Sequence, residues 1–196
     1  MIQQQEKVKL RHGFKKWSDE KSVSIRKELG LYAFSPLSAF DLCKHLNIIV
    51  LSPNQVAGMS EAYLNNLLGV GSGSWSAATV PINDDKHLIV HNTTHSLARQ
   101  QSNLMHELAH IICGHKISED IRNTGLASFL RCHDADQENE AEWFGACLQL
   151  PRPALLYSLK KKMTVEDIAD YYNSSIEMTK YRINITGVNK QISYFR

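Results

Sequence analysis

The spacing of apolar residues changes period several times along the chain, and each change marks an element. From Lys21 to Leu31, Val23, Ile25 and Leu29 recur at helical spacing, and Gly30 supplies a stop. After Pro36, Leu37, Phe40, Leu42, Cys43 and Leu46 lie on or near one face of a second helix. Ile48 to Ser52 is a β-branched run and predicts a strand, and Ser60 is placed to cap a short helix ending at Leu68. Strands are expected over Ser76 to Ile82 and Lys86 to His91, joined by Asn83-Asp84-Asp85 as a hairpin. A long helix then runs from His95 to His115, with Gly114 near its end. Residues 116–136 are polar and carry no assignable period.

Gln137 to Leu150 returns to helical spacing, with acids in its first turn where the helix dipole favours them, and Pro151 and Pro153 end it. PALLYSLKKK, TVEDIADYY and SIEMTKYRINI follow as short helices, the last two separated by Asn173-Ser174. The pattern predicts an α+β fold: a small β-sheet packed against helices, with a small helical C-terminal lobe. Residues 1–20 are expected to form a polar arm, 21–155 the main domain and 156–196 the lobe packed on it, in a single compact domain overall.

Composition narrows the function without naming it. The chain has 196 residues, 43% hydrophobic and 21% charged, with a net charge of +2. That charge gives no electrostatic case for nucleic acid or a membrane as the main partner. The polar, basic N-terminus lacks the apolar core of a signal peptide, so a cytoplasmic location is expected. Cys43, Cys113, Cys132 and Cys147 form no CxxC pair and are expected to be free thiols. GVGSGSW, Gly69 to Trp75, is glycine-rich but lacks the lysine of a phosphate-binding loop and is read as a turn.

The chemistry concentrates in NLMHELAHIICGH, Asn103 to His115. His106 and His110 are four apart and share a helix face, so both imidazoles can reach one zinc ion. Glu107, beside the first of them, is placed to take a proton from a water attacking a carbonyl, and zinc lowers the pKa of such a water to about 7. The competing reading is a core helix whose histidines find other partners. A catalytic zinc needs a third protein ligand. The pattern with glycine and histidine three and six positions after the second ligand fails, because Cys113 and Lys116 stand there. His115 lies half a turn off the His106/His110 face and is read as a helix-end bystander. The next helix offers Glu138, Glu140 and Glu142. Its small and apolar stripe, Ala141, Phe144, Gly145 and Leu148, has Glu138 at one end and Glu142 near its edge, with Glu140 pointing elsewhere. His133, Asp134 and Asp136 are further alternatives from the preceding loop.

These residues, in this order, resemble the ImmA/IrrE-type metallopeptidases from about Arg11 to Val188. The similarity runs through RHGFKKW and the two helices after it, through the strand and LARQQSNLMHELAHIICGH, where Arg99 stands seven before the first ligand. It continues in ENEAEWFGACLQLPR and the C-terminal MTVEDIADYYNSSIEMTKYRINITGV. The resemblance implies a zincin-like domain with His106, His110 and Glu138 as zinc ligands and Glu107 as general base. Ser102-Asn103, Ala109 and the LQLP at Leu148 to Pro151 depart from common family residues without removing a ligand. Members of the family cut helix-turn-helix repressors, so a repressor encoded nearby is the expected protein substrate.

Two other functions compete with cleavage. A non-cleaving module of the same fold could bind a repressor or antitoxin-like partner. The C-terminal helix pair resembles a helix-turn-helix, but its second helix offers only Lys180 and Arg182 as basic residues, too few for several phosphate contacts. A packing lobe or docking surface is the preferred reading, with no direct nucleic-acid contact expected.

Overall fold

The computed structural model describes residues 10–83, 86–115 and 134–193. Residues 1–9 of the expected arm, the hairpin tip Asp84-Asp85, Cys132 and the candidate ligand His133 lie outside them. The fold is α+β, as the pattern predicts. Helices α1 (Phe14–Glu28) and α2 (Ala39–His45) precede strand β1 (Ile49–Leu51). Helix α3 (Glu61–Leu68) leads to strands β2 (Ala77–Asn83) and β3 (Lys86–His91). Then come α4 (Leu97–Cys113), α5 (Ala135–Gln149), α6 (Arg152–Lys160), α7 (Val165–Tyr171), α8 (Ile176–Thr186) and α9 (Val188–Ser193).

The sheet has the order β1-β3-β2, with β1 parallel and β2 antiparallel to β3. Ile89 and Val90 are buried in the central strand. Leu104, Met105, Leu108 and Ala109 of α4 and Ala141, Phe144 and Leu148 of α5 join Ile89 in one core with none of their surface exposed. Each large aliphatic buried this way contributes about 1.5–3 kcal/mol, so α4 and α5 are fixed by packing. Gln101, also buried, ties α2 to α4: its Oε1 accepts from the Ala39 N–H at 2.9 Å, and its Nε2 donates to the Leu37 carbonyl at 2.7 Å. That contact satisfies one of the orphan donors at the start of α2.

Two differences from the sequence reading have clear physical reasons. Helix α1 begins at Phe14, so residues 14–20 are helix and not a loose arm. Phe14 is 1% exposed, its ring stacks on Trp17 at 5.3 Å, and Trp17 packs on Phe144 at 4.9 Å. Two aromatics three residues apart anchor a stretch that charge counting reads as solvated. Helix α5 is also buried beyond its predicted stripe, at Glu140, Ala146, Cys147 and Gln149, because partners cover more than one of its faces.

Two arginines close the C-terminal end of α5. Arg26 of α1 donates from Nη2 to the Leu148 carbonyl at 2.7 Å, from Nε to the Ser35 carbonyl at 2.9 Å, and from Nη1 to the Ser22 carbonyl at 3.1 Å. Burial pulls its guanidinium pKa down to about 10, which leaves it charged at neutral pH. Arg182 of α8 donates from Nε to the Leu150 carbonyl at 3.0 Å and stands 3.7 Å from Asp19. A helix C-terminus leaves carbonyls without intrahelical donors and carries partial negative charge, which cations satisfy. The C-terminal helices have a second core of Leu150, Leu155, Ile168, Tyr172, Ile183 and Val188. Since Arg182 is fully buried, α8 keeps only Lys180 of its two predicted basic residues at the surface, which weakens the DNA-binding reading further.

Gly145 sets how closely α4 and α5 approach. A Cβ there would lie 3.0 Å from the Met105 carbonyl oxygen and 3.2 Å from both the Cα and N of His106. These are backbone atoms of a packed helix and cannot rotate away. Alanine is ordinarily better than glycine inside a helix by about 1 kcal/mol. Here Gly145→Ala is expected to reverse that preference and destabilise the metal-free protein by about 1–3 kcal/mol, the usual cost of overpacking, measured by urea unfolding. A variant as stable as the parent would show that the two helices separate freely.

Candidate metal centre

Helix α4 is built to present its histidines at a fixed point. Ser96 accepts from the Arg99 N–H and caps its start, and Gly114, at φ 66°, ends it in the left-handed region. His106 and His110 lie one turn apart on the face that meets α5. On α5, the Asp134 side chain accepts from the Asp136 and Gln137 N–H groups, so Glu138 falls in the first turn, where the helix dipole favours a carboxylate.

The three predicted ligands converge. His106 Nε2 and His110 Nε2 are 3.1 Å apart. His106 Nε2 lies 3.2 Å from Glu138 Oε2, and His110 Nε2 lies 3.3 Å from Glu138 Oε1. A tetrahedral zinc with bonds of about 2.0–2.2 Å needs its donors about 3.3–3.5 Å apart. The triangle therefore fits a zinc ion with little adjustment, and three donors leave a fourth position open. Among the described residues, this is the one group of histidine, cysteine or acidic side chains arranged to hold a metal. Asp134 serves as a helix cap and Asp136 is exposed, so neither competes as third ligand. Cys43, Cys113 and Cys147 are free, as expected, and burial pushes each thiol up to about 12.

The electrostatics of the triangle favour cation binding. Burial alone would lower the pKa of the His106 imidazole. The hydrogen bond that His106 donates to Glu138 and the nearby charges of Glu107, Glu138 and Glu142 outweigh it, so His106 lies above its ordinary value. Glu107 turns toward the sheet, where the Thr79 hydroxyl of β2 donates to its Oε2. Arg99 is exposed on the first turn of α4; with burial as the larger cause, its charge helps lower the pKa of neighbouring His95. Asn103, one of the departures from common family residues, lies with its Nδ2 3.2 Å from His95 Nδ1.

Three residues at the site escaped the sequence reading. Thr79 gave no signal, because nothing in a strand pattern aims one hydroxyl at a distant glutamate. His115 is not a bystander. Its ring is 8% exposed, and its Nδ1 lies 2.9 Å from Nδ1 of His110. Half a turn separates these residues on a straight helix, but the helix stops at Cys113. Gly114 donates to the Ile111 carbonyl and His115 to the His110 carbonyl, both at 3.1 Å. That paired reversal folds the residue after the glycine back over the last turn. Glu140, expected to point elsewhere, is buried with Oε2 3.3 Å from His115 Nε2 and Oε1 3.3 Å from Arg11 Nε. A glycine stop flanked by histidines five apart was the available clue to the first of these contacts.

No curated protein matches the chain. A protein-family model does: Peptidase M78, described as the IrrE N-terminal-like domain, matches residues 70–184. That span runs from the turn before β2 into the last turn of α8 and includes His106, Glu107, His110 and Glu138. It covers more than half of the sequence and agrees with the resemblance carried by the motif, the strand before it and the ENEAEWFGACLQLPR segment. The chain belongs to the Peptidase M78 family, the IrrE N-terminal-like domain.

Proposed function

We propose that this protein is a zinc-dependent endopeptidase of restricted specificity that acts in the cytoplasm on a helix-turn-helix repressor. The observation that carries the reading is a proton acceptor, Glu107, held by Thr79 and close enough for its charge to act on His106, beside a three-donor triangle of zinc dimensions. Membership in a peptidase family supports it. The repressor as substrate class rests on the ImmA/IrrE resemblance. The cytoplasmic location rests on the polar N-terminal sequence, and no described helix is long and apolar enough to cross a membrane.

His106, His110 and Glu138 would hold the ion. Zinc supplies a Lewis acid that polarises a peptide carbonyl. Glu107 takes the proton of the attacking water and returns it to the leaving amine, a general base and then a general acid. Thr79 holds the Glu107 carboxylate at β2, so the proton acceptor and the strand are in register. Among the described residues β2 has a neighbour on one side only, β3. Its other edge offers backbone groups to an extended segment, and Pro81 is at home on such an edge. A substrate that must pair there is cut in extended segments and not within folded helices, which restricts specificity.

Four outcomes test this reading. Glu107→Gln, still loaded with zinc, should cut the neighbouring repressor about 10²–10⁴-fold more slowly, the usual worth of a general base; fragments forming at the parental rate would remove Glu107 from the role. A stable complex with the repressor and no fragments from the zinc-loaded parent would favour the non-cleaving module. Glu138→Ala should lose zinc affinity by more than the ~100-fold that loss of an outer partner costs, read by competition with a chromophoric chelator. Unchanged affinity would move the third ligand elsewhere. Zinc affinity should also depend on pH. Protons compete for His106, whose pKa lies above 6.5, so affinity should already be falling above that pH as the solution is acidified. A chelator titration between about pH 8 and 5.5 that stays flat to below 6 would contradict it.

A further inference from the structure

The contacts of His115 and Glu140 have a consequence for the metal centre that ligand geometry alone does not show. His106 and His110 point Nε2 at each other and at Glu138. If His110 binds through Nε2, that nitrogen carries no proton, so in the neutral ring Nδ1 must carry it. The atom facing His110 Nδ1 is His115 Nδ1, at 2.9 Å, within the normal range for a hydrogen bond. Two N–H groups cannot face each other at that distance, so His115 Nδ1 is the acceptor and its proton resides on Nε2. That nitrogen faces Glu140 Oε2 at 3.3 Å, and a carboxylate accepts. Ligation at one atom therefore fixes every proton along the chain of contacts. Without ligation, the opposite arrangement would still join His110 and His115, but it would set a bare His115 Nε2 against the Glu140 carboxylate, so Glu140 biases the pair toward the ligating tautomer.

We propose that His115 and Glu140 are positioning residues for the metal centre: a carboxylate–histidine–histidine relay that holds the His110 ring in its ligating tautomer and orientation. The inference rests on the zinc reading above. Burial gives the relay its strength. His115 and Glu140 are 8% and 10% exposed, so their contacts are not traded readily for water. The far end differs, since Arg11 is 55% exposed where it meets Glu140, and an exposed ion pair contributes little. Arg11 is therefore left out of the relay proper. The relay also explains a buried acid and a buried histidine at the end of two core helices, where apolar residues would pack as well. It has a built-in origin, because the Gly114 reversal that places His115 over His110 also closes α4.

The test measures zinc affinity and tautomers, not cleavage. Chelator competition should show His115→Leu weakened about 10–100-fold, as loss of a partner behind a ligating histidine does. His115→Asn, whose side chain can still accept from His110 but falls short of Glu140, should lie between that variant and the parent. Glu140→Gln should weaken binding in the parent and add nothing in the His115→Leu background, since the relay is already broken there. Nitrogen-15 spectra of the zinc-loaded parent should place protons on His110 Nδ1 and His115 Nε2. A merely structural role would alter the unfolding of the metal-free protein but neither the tautomers nor the coupling between the two substitutions. The relay is overturned by a proton found on His115 Nδ1, by His115→Leu binding zinc within about twofold of the parent, or by losses that multiply in the double variant. A parent that binds no zinc would instead sink the zinc reading itself, and the relay with it.

Discussion

The backbone contact between α4 and α5 at Gly145 sets the geometry on which the candidate metal centre depends. Helices usually pack with axes 8–10 Å apart, the separation set by the side chains between them. At Gly145 there is no side chain, and the next helix begins 3.0–3.2 Å from where a Cβ would sit. The atoms it meets belong to Met105 and His106, so the closest approach falls at the first histidine of the motif. Glu138 is two turns earlier on α5, and its carboxylate reaches both His106 and His110. Donor separations of 3.1–3.3 Å leave no slack. An added ångström between the helices would exceed what zinc bonds of about 2 Å can span. The triangle is thus a result of core packing, and the fully buried Leu104, Met105, Leu108, Ala141, Phe144 and Leu148 hold it.

The same logic applies along the axis of α5. A slide of the helix by one residue would carry Glu138 about 1.5 Å and rotate it by about 100°. Its ends are pinned by opposite charges. Asp134 accepts from the first N–H groups, while Arg26 and Arg182 donate to carbonyls of the last turn and the residue after it. Burying two guanidinium groups is costly unless acceptors surround them. Arg26 meets the condition with three carbonyls; Arg182 has one carbonyl and a more distant Asp19. They come from opposite ends of the chain, so the N-terminal helix and the C-terminal helices grip the element that carries Glu138. This gives the C-terminal helices a structural task without recourse to DNA binding.

What was legible in the sequence follows from which interactions are local. The H-E-x-x-H spacing maps directly onto one helix face, so His106, Glu107 and His110 could be read from position alone. The apolar stripe of α5 identified the face that packs on α4, but it left Glu138 and Glu142 as rivals, because a stripe has two edges. The resemblance was needed to choose, and Glu138 is the one that meets the histidines while Glu142 is exposed. Strand existence and the hairpin pairing were legible from β-branched runs around a polar turn. The start of α1 was not, because two aromatics among lysines count for little by charge and for much by burial. Thr79 was invisible for a different reason: its contact joins residues 28 apart across a sheet–helix boundary.

Glu138, Glu140 and Glu142 show most sharply how far periodicity carries and where it stops. At 100° per residue, Glu140 lies 200° around α5 from Glu138, so a helical wheel sends it away from the ligands. The wheel is right about direction and wrong about consequence. If α4 continued as a straight helix, nothing at its end would meet Glu140. The left-handed turn at Gly114 brings the chain back, and His115 reaches around to meet Glu140 on one side and His110 on the other. Two acids on different faces of α5 thereby act on the same histidine, Glu138 beside its Nε2 and Glu140 through the ring that faces its Nδ1. Glu142 alone of the three stays exposed, and it acts on the site only through its charge near His106. A one-residue break in helical geometry therefore brings an acid that the wheel sends away from the histidines into contact with the ring that faces His110.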